Sequence, residues 1–98
     1  MNVKAVRYNL AQQPGFVSFE FKDTKDKVWT ITEKLPVVGL PYPTDGTNIP
    51  FEVEAPSQVI KSYYDENDKE ILKIEFLYQI ESDDGEREFE VFASDYYS

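Results

Sequence analysis

Apolar and polar residues alternate strictly in several short segments of the chain, a pattern typical of half-buried β-strands. The clearest pair is residues 16–22 and residues 27–34, which are separated by the polar turn Asp23–Asp26. Alternation places the large apolar side chains of both segments on one face. We therefore predict a hairpin whose core face is formed by Val17, Phe19, Phe21, Trp29 and Ile31.

The second half of the chain shows the same pattern. Residues 71–78 and 86–93 alternate, and the turn signal Asp84-Gly85 lies between them, so Phe89 and Val91 are expected to point inward. Residues 57–64 fit either one face of a helix behind Pro56 or a strand. We favour the strand, because the polar segment that follows it is a hairpin signal, and the three segments then form a meander.

Three further segments complete the pattern. Residues 2–10 have strand composition, but the alternation slips between Ala5 and Val6, which indicates a bulge. Residues 51–55 are predicted as a short edge strand that ends at Pro56. Residues 35–50 contain four of the six prolines and are predicted as a long loop with a tight turn at Asp45-Gly46.

These elements predict an all-β fold, a small single-domain antiparallel β-sandwich or barrel. Six to seven strands with turns about every eight to twelve residues are typical of that class. One domain is expected over residues 1–98, with at most one short helix, at residues 57–64. Residues 94–98 are expected to be a tail, either frayed or docked through its aromatic rings.

The residue types disfavour an enzyme. The chain has neither Cys nor His, which removes the common zinc ligands and the usual nucleophile and base pairs. Carboxylate pairs such as Glu52/Glu54 and Glu88/Glu90 occur at the spacing of a solvated strand face. Residues 65–70 begin like a calcium loop, but Glu70 stands where that loop needs Gly. We therefore expect no catalytic residue, no metal and no cofactor.

The net charge of −9 is unevenly distributed along the chain. Residues 1–49 carry six basic and five acidic side chains, whereas residues 50–98 carry four basic and fourteen acidic ones. Such a field repels nucleic acid and attracts a basic protein, and the alternative role of an acidic surface is solubility alone. No segment has the apolar length of a signal peptide or membrane span, so we expect a cytoplasmic protein without a membrane partner.

Tyrosines lie beside carboxylates at several places and suggest where a partner binds, since tyrosine is a rigid contact surface and carboxylates pair with Lys or Arg. We therefore expect a non-enzymatic protein-binding module, most specifically an immunity or inhibitor protein that neutralises a basic toxin or enzyme. The residues expected to contact this partner are Tyr63, Asp65, Glu66, Asp68, Asp83, Asp84, Glu86 and Tyr97.

Two other functions stay open. A structural or assembly subunit would pair with another copy, as in a homodimer, through residues 51–55 or the C-terminal strand. A carbohydrate-binding β domain would use Trp29 or Tyr42 as a stacking platform for sugars.

Overall fold

Seven β-strands and one short helix make up the regular structure of the protein, a computed structural model that describes residues 1–43 and 49–98. The predicted turn at Asp45-Gly46 lies outside the described residues. The elements are β1 (Asn2–Asn9), β2 (Phe16–Lys22), β3 (Val28–Lys34), β4 (Phe51–Glu54), β5 (Ser57–Tyr64), β6 (Glu70–Phe76), β7 (Glu88–Phe92) and α1 (Ala93–Tyr96).

The strands form two antiparallel sheets that pack face to face, so the fold is an all-β sandwich. Sheet A has the order β3-β2-β1-β4, and sheet B is the meander β5-β6-β7. The chain leaves β4 at Glu54 and enters β5 at Ser57, and so crosses from one sheet to the other within two residues. The predicted fold class and the predicted meander are both confirmed.

The hairpin predicted between residues 16 and 34 forms in the expected register. Phe19 pairs with Ile31, and Phe21 pairs with Trp29, which places their side chains on the inner face of sheet A. Phe19, Phe21 and Ile31 are buried, and Trp29 is half-buried against them.

An aromatic cluster joins the two sheets. The ring of Phe89 on β7 lies 5.0 Å from Phe21, 5.2 Å from Trp29 and 5.8 Å from Phe76, measured between ring centroids. Phe89 and Val91 are buried as predicted. Burying one such ring contributes about 2 to 3 kcal/mol, so this cluster is a main source of stability at the centre of the sandwich.

The strand favoured for residues 57–64 is confirmed, and the short helix lies elsewhere, in the segment expected to be a tail. Residues 57–64 form strand β5, and the helix of the described chain is α1, at Ala93–Tyr96. The last ladder pair of sheet B joins Phe92 to Ile71. Directly after that pair the chain turns into α1, in which Tyr97 N–H donates to Ala93 C=O at 3.0 Å.

Strand boundaries and bulges also differ in part from the prediction. The bulge in β1 is confirmed, since the register shifts between Ala5 and Arg7. Strand β6 ends at Phe76 rather than at residue 78, because Tyr78 and Gln79 have φ of 64° and 57° and form a tight turn. Strand β5 carries a second bulge, between Val59 and Lys61.

The described part of the predicted loop, residues 35–43, contains neither helix nor strand and packs on the core. Leu35 is buried, and its N–H donates to the C=O of Gly15 at 3.0 Å. Gly15 has a φ of 93°, and a Cβ there would lie 2.9 Å from Leu35 Cδ1. The left-handed φ therefore favours glycine at this position, since Leu35 Cδ1 lies at the end of a flexible side chain.

Candidate partner-binding surface

Two hairpin turns, one in each sheet, share one geometry. Both have the sequence Asp-x-x-Asp-Lys, at residues 23–27 and residues 65–69. In each, the first Asp accepts two backbone N–H bonds on Oδ1, from Lys25 and Lys27 in the first turn and from Asn67 and Lys69 in the second. The second Asp has a φ of 60° in both turns, as a three-residue hairpin loop requires. The first Asp of each motif therefore fixes its loop.

The turn at residues 23–27 is tied into the fold by Asp23. Its Oδ2 accepts a hydrogen bond from the indole N–H of Trp29 at 2.9 Å, and Lys27 Nζ lies 3.7 Å from the centre of that ring. Burial alone would raise the pKa of Asp23. The hydrogen bonds from Trp29, Lys25 and Lys27, with the charge of Lys27, outweigh burial and hold this pKa below its usual value.

The turn at residues 65–69 has the same scaffold but a different charge. Its two central residues are Glu66 and Asn67, where the first turn has Thr24 and Lys25. The second turn therefore carries three carboxylates and one lysine, whereas the first carries two carboxylates and two lysines. Strand residues Tyr63, Tyr64 and Glu70 adjoin it, and we call residues 63–70 the acidic hairpin end.

The side chains of the acidic hairpin end differ in their hydrogen bonding and in their exposure to solvent. Tyr63 lies on the outer face of sheet B, and its hydroxyl donates to Glu90 Oε2, across β6. This hydrogen bond is the main reason that the pKa of Tyr63 is raised above its usual value. Asp65 is half-buried as the turn's acceptor, whereas Glu66 and Asp68 are exposed. The latter two are therefore the carboxylates most open to a partner.

A second acidic group lies at the opposite end of sheet B. Asp83, Asp84 and Glu86 belong to the loop between β6 and β7, whereas the acidic hairpin end precedes β6. Ser82 is buried and organises this loop: its Oγ accepts the N–H of Glu86 at 3.0 Å, and its C=O accepts the N–H of Gly85 at 2.8 Å. The two acidic groups are thus separate surfaces.

Asp83 is engaged within the chain. Its N–H donates to the C=O of Thr30 at 2.8 Å, and its Oδ2 accepts from Thr32 Oγ1 at 3.2 Å. Because the Thr32 proton is used there, Ser18 donates to Thr32 at 2.9 Å, and Arg7 donates to Ser18 at 3.3 Å. A series of hydrogen-bonded side chains therefore crosses the outer face of sheet A, from the guanidinium of Arg7 to the carboxylate of Asp83.

Tyr97 belongs to neither of these two loops. It follows α1, is exposed, and packs edge-on against Tyr96 with 5.0 Å between the ring centroids. The eight residues expected to bind a partner therefore occupy three places. The structure brings together only Tyr63, Asp65, Glu66 and Asp68.

Strand β5 is the surface that sequence reasoning missed. It lies at the edge of sheet B, and most of its side chains are exposed on both faces. Val59, Ile60 and Tyr64 are 39%, 44% and 66% exposed. The position of an edge follows from strand order, which the alternation pattern does not contain.

The other sheet edges of the described chain are covered or short. Thr24 N–H donates to Glu90 C=O on β7, and Asp83 N–H donates to Thr30 C=O on β3, so loops cap both strands. Strand β4 is an edge strand as predicted, but it has only four residues and carries Glu52 and Glu54. Strand β5, with eight residues, is the longest edge.

The platform proposed for sugars is occupied within the fold. Trp29 packs against Phe89 on one side and carries Lys27 over its ring, so the indole lies inside a cluster. Tyr42, the other residue expected to stack against sugars, is 49% exposed.

Comparisons of the sequence with protein-family models, curated proteins and solved structures find no match. Within residues 1–43 and 49–98, no group of carboxylates is arranged to hold a metal ion. No helix in this part of the chain is long and apolar enough to cross a membrane.

Proposed function

We propose that this protein is a non-enzymatic binding domain that recognises a basic partner protein through its acidic hairpin end. The observation that carries the proposal is the pair of matching turns. One scaffold appears twice, and its two central positions carry half-buried Thr24 and exposed Lys25 in one sheet but exposed Glu66 and Asn67 in the other. The negative charge of the second turn is thus not required by the turn itself.

The geometry suits recognition of Lys and Arg side chains. Asp65 fixes the loop through two backbone hydrogen bonds of 2.8 and 2.9 Å, so little conformational entropy is lost when a partner binds. Glu66 and Asp68 extend into solvent beside Tyr64, whose ring is 66% exposed. Exposed carboxylates speed the encounter with a basic surface, and a tyrosine beside them provides a large contact area.

The specific function that we propose is inhibition, as by an immunity protein. An enzyme or toxin with an anionic substrate, such as a nuclease, has a basic active site. An acidic, tyrosine-bearing loop on a rigid sandwich would cover such a site and exclude the substrate. The formal charge of −9 adds long-range attraction to the local contacts.

Affinity capture from a lysate of the native host tests the proposal. Retained proteins are identified by mass spectrometry, purified and titrated against the domain at low and high salt. We expect a partner with a pI above about 9, whose association rate falls steeply as salt increases. Retention of no basic protein, or a basic protein that binds at a salt-independent rate, would contradict the proposal.

A further inference from the structure

Strand β5 offers its free edge to a partner's backbone. Building on the function proposed above, we infer that the basic partner adds an antiparallel β-strand to β5. This strand has apolar residues in its middle and Lys or Arg at its N-terminal end. The antiparallel direction matches the rest of sheet B. It also places the N-terminal end of the added strand beside the acidic hairpin end.

The hydrogen bonds at the two ends of the β5–β6 hairpin show which backbone groups of β5 point outward. Leu77 N–H donates to Pro56 C=O, and Asp65 N–H donates to Lys69 C=O, both at 3.0 Å. Bonded and non-bonded pairs alternate along an antiparallel ladder. We assigned bonded and non-bonded pairs alternately from each end of the ladder to the bulge. The residues whose backbone groups then face away from β6 are Ser57, Val59, Ser62 and Tyr64.

Side chains along this edge favour an apolar strand. Val59 and Ile60 lie at its centre and are exposed, and Tyr64 is exposed at its end. An added strand would cover all three. Long edge strands with exposed apolar residues are where β-strand addition takes place.

Charge decides between a foreign strand and a second copy of this chain. An antiparallel β5 pair would place Asp65 and Glu66 of one copy beside the Glu54 end of the other, and a parallel pair would place the acidic hairpin ends side by side. The parallel pair brings carboxylates together, and although Glu54 is paired with the N-terminal ammonium at 2.7 Å, both arrangements join two chains that each carry a charge of −9. A strand with Lys or Arg at its N-terminal end instead meets Asp65, Glu66 and Asp68.

A synthetic peptide, acetyl-Lys-Arg-Lys-Val-Thr-Val-Thr-Ile-amide, tests the inference. It is titrated into the isotope-labelled protein, and the amide chemical shifts are followed by NMR. The control peptide has the same side chains but is N-methylated at alternate residues, so that it cannot pair as a strand. On the protein, Ser62→Pro removes one outward N–H, and Ser62→Ala is the matched control that keeps it.

We expect the largest shift changes along β5, with slower exchange of the Ser62 and Tyr64 amides. N-methylation or Ser62→Pro should weaken binding about tenfold or more, while Ser62→Ala should leave it unchanged. The N-methylated peptide keeps the test valid even if Ser62→Pro fails to fold.

Three results would overturn the inference: no binding of the peptide, equal binding of its N-methylated form, or shifts confined to residues 65–69. A homodimer in sedimentation that Ser62→Pro dissociates would also overturn it, in favour of a second copy as the occupant. In each of these cases a basic partner captured from the host would still support the proposed function. Absence of any such partner refutes that function separately.

Discussion

The hydroxyl of Thr32 donates a hydrogen bond to the carboxylate of Asp83 across 3.2 Å, from sheet A to the loop between β6 and β7. Asp83 is expected from the sequence to contact a partner. In the fold it anchors a loop of one sheet to the edge strand of the other. Its position in an acidic turn therefore predicts its exposure but not its main contact.

Replacing Asp83 tests this anchoring role. Asp83→Ala removes the acceptor of the Thr32 hydroxyl, so we expect the free energy of unfolding to fall by about 0.5 to 1 kcal/mol. Asp84→Ala is the matched control, because it makes the same charge change one residue away. Urea denaturation of both variants measures the difference, and equal losses of stability would contradict the anchoring role.

The turn at Asp23 predicts a dependence of stability on pH. Its pKa is lower in the folded state than in the unfolded chain, so its carboxylate stabilises the fold above the unfolded pKa, and this contribution disappears as pH falls through the folded pKa. We expect Asp23→Asn to be less stable than wild type by about 1 kcal/mol near pH 7, and the gap to close as pH falls through the folded pKa of Asp23. Urea unfolding across this range measures it. A gap that widens toward acid pH would show that the pKa shift has the opposite sign.

Phe89 is predicted to be the most sensitive ring of the core. It contacts Phe21, Trp29 and Phe76, so Phe89→Ala leaves a cavity between the sheets and should cost about 3 to 5 kcal/mol. Phe92→Ala, on the half-buried outer face of the same strand, should cost clearly less. Unfolding in urea compares the two, and a larger loss for Phe92→Ala would place the centre of the core elsewhere.

The strands were predictable where burial imposes a strict alternation. Val17, Phe19 and Phe21 face the core, and the period of two therefore sets both the face and the register of their hairpin. Strand β5 was predicted as a strand, but its place at an edge depends on sheet order, which is decided by long-range pairing. The helix α1 was missed because it begins directly after the last ladder pair of β7, and the end of that ladder is set by pairing with β6, which is distant in sequence.

The candidate surface was predictable only in part. Tyr63, Asp65, Glu66 and Asp68 are neighbours in sequence, so their grouping needs only a hairpin. The role of Asp83 depends on Thr30 and Thr32, which are distant in the chain and contact it only in the fold. The sequence did contain one further signal, since Asp-x-x-Asp-Lys occurs twice and marks two turns of the same geometry.

The most direct test of the central claim exchanges the central residues of the two matching turns. The variant Thr24→Glu, Lys25→Asn, Glu66→Thr, Asn67→Lys keeps the formal charge of −9 and uses turn sequences that the chain already folds. The measurement is its dissociation constant for the captured basic partner at physiological salt. Binding weakened about tenfold or more would locate recognition at the acidic hairpin end, whereas an unchanged constant would contradict the account, because total charge alone would then be sufficient.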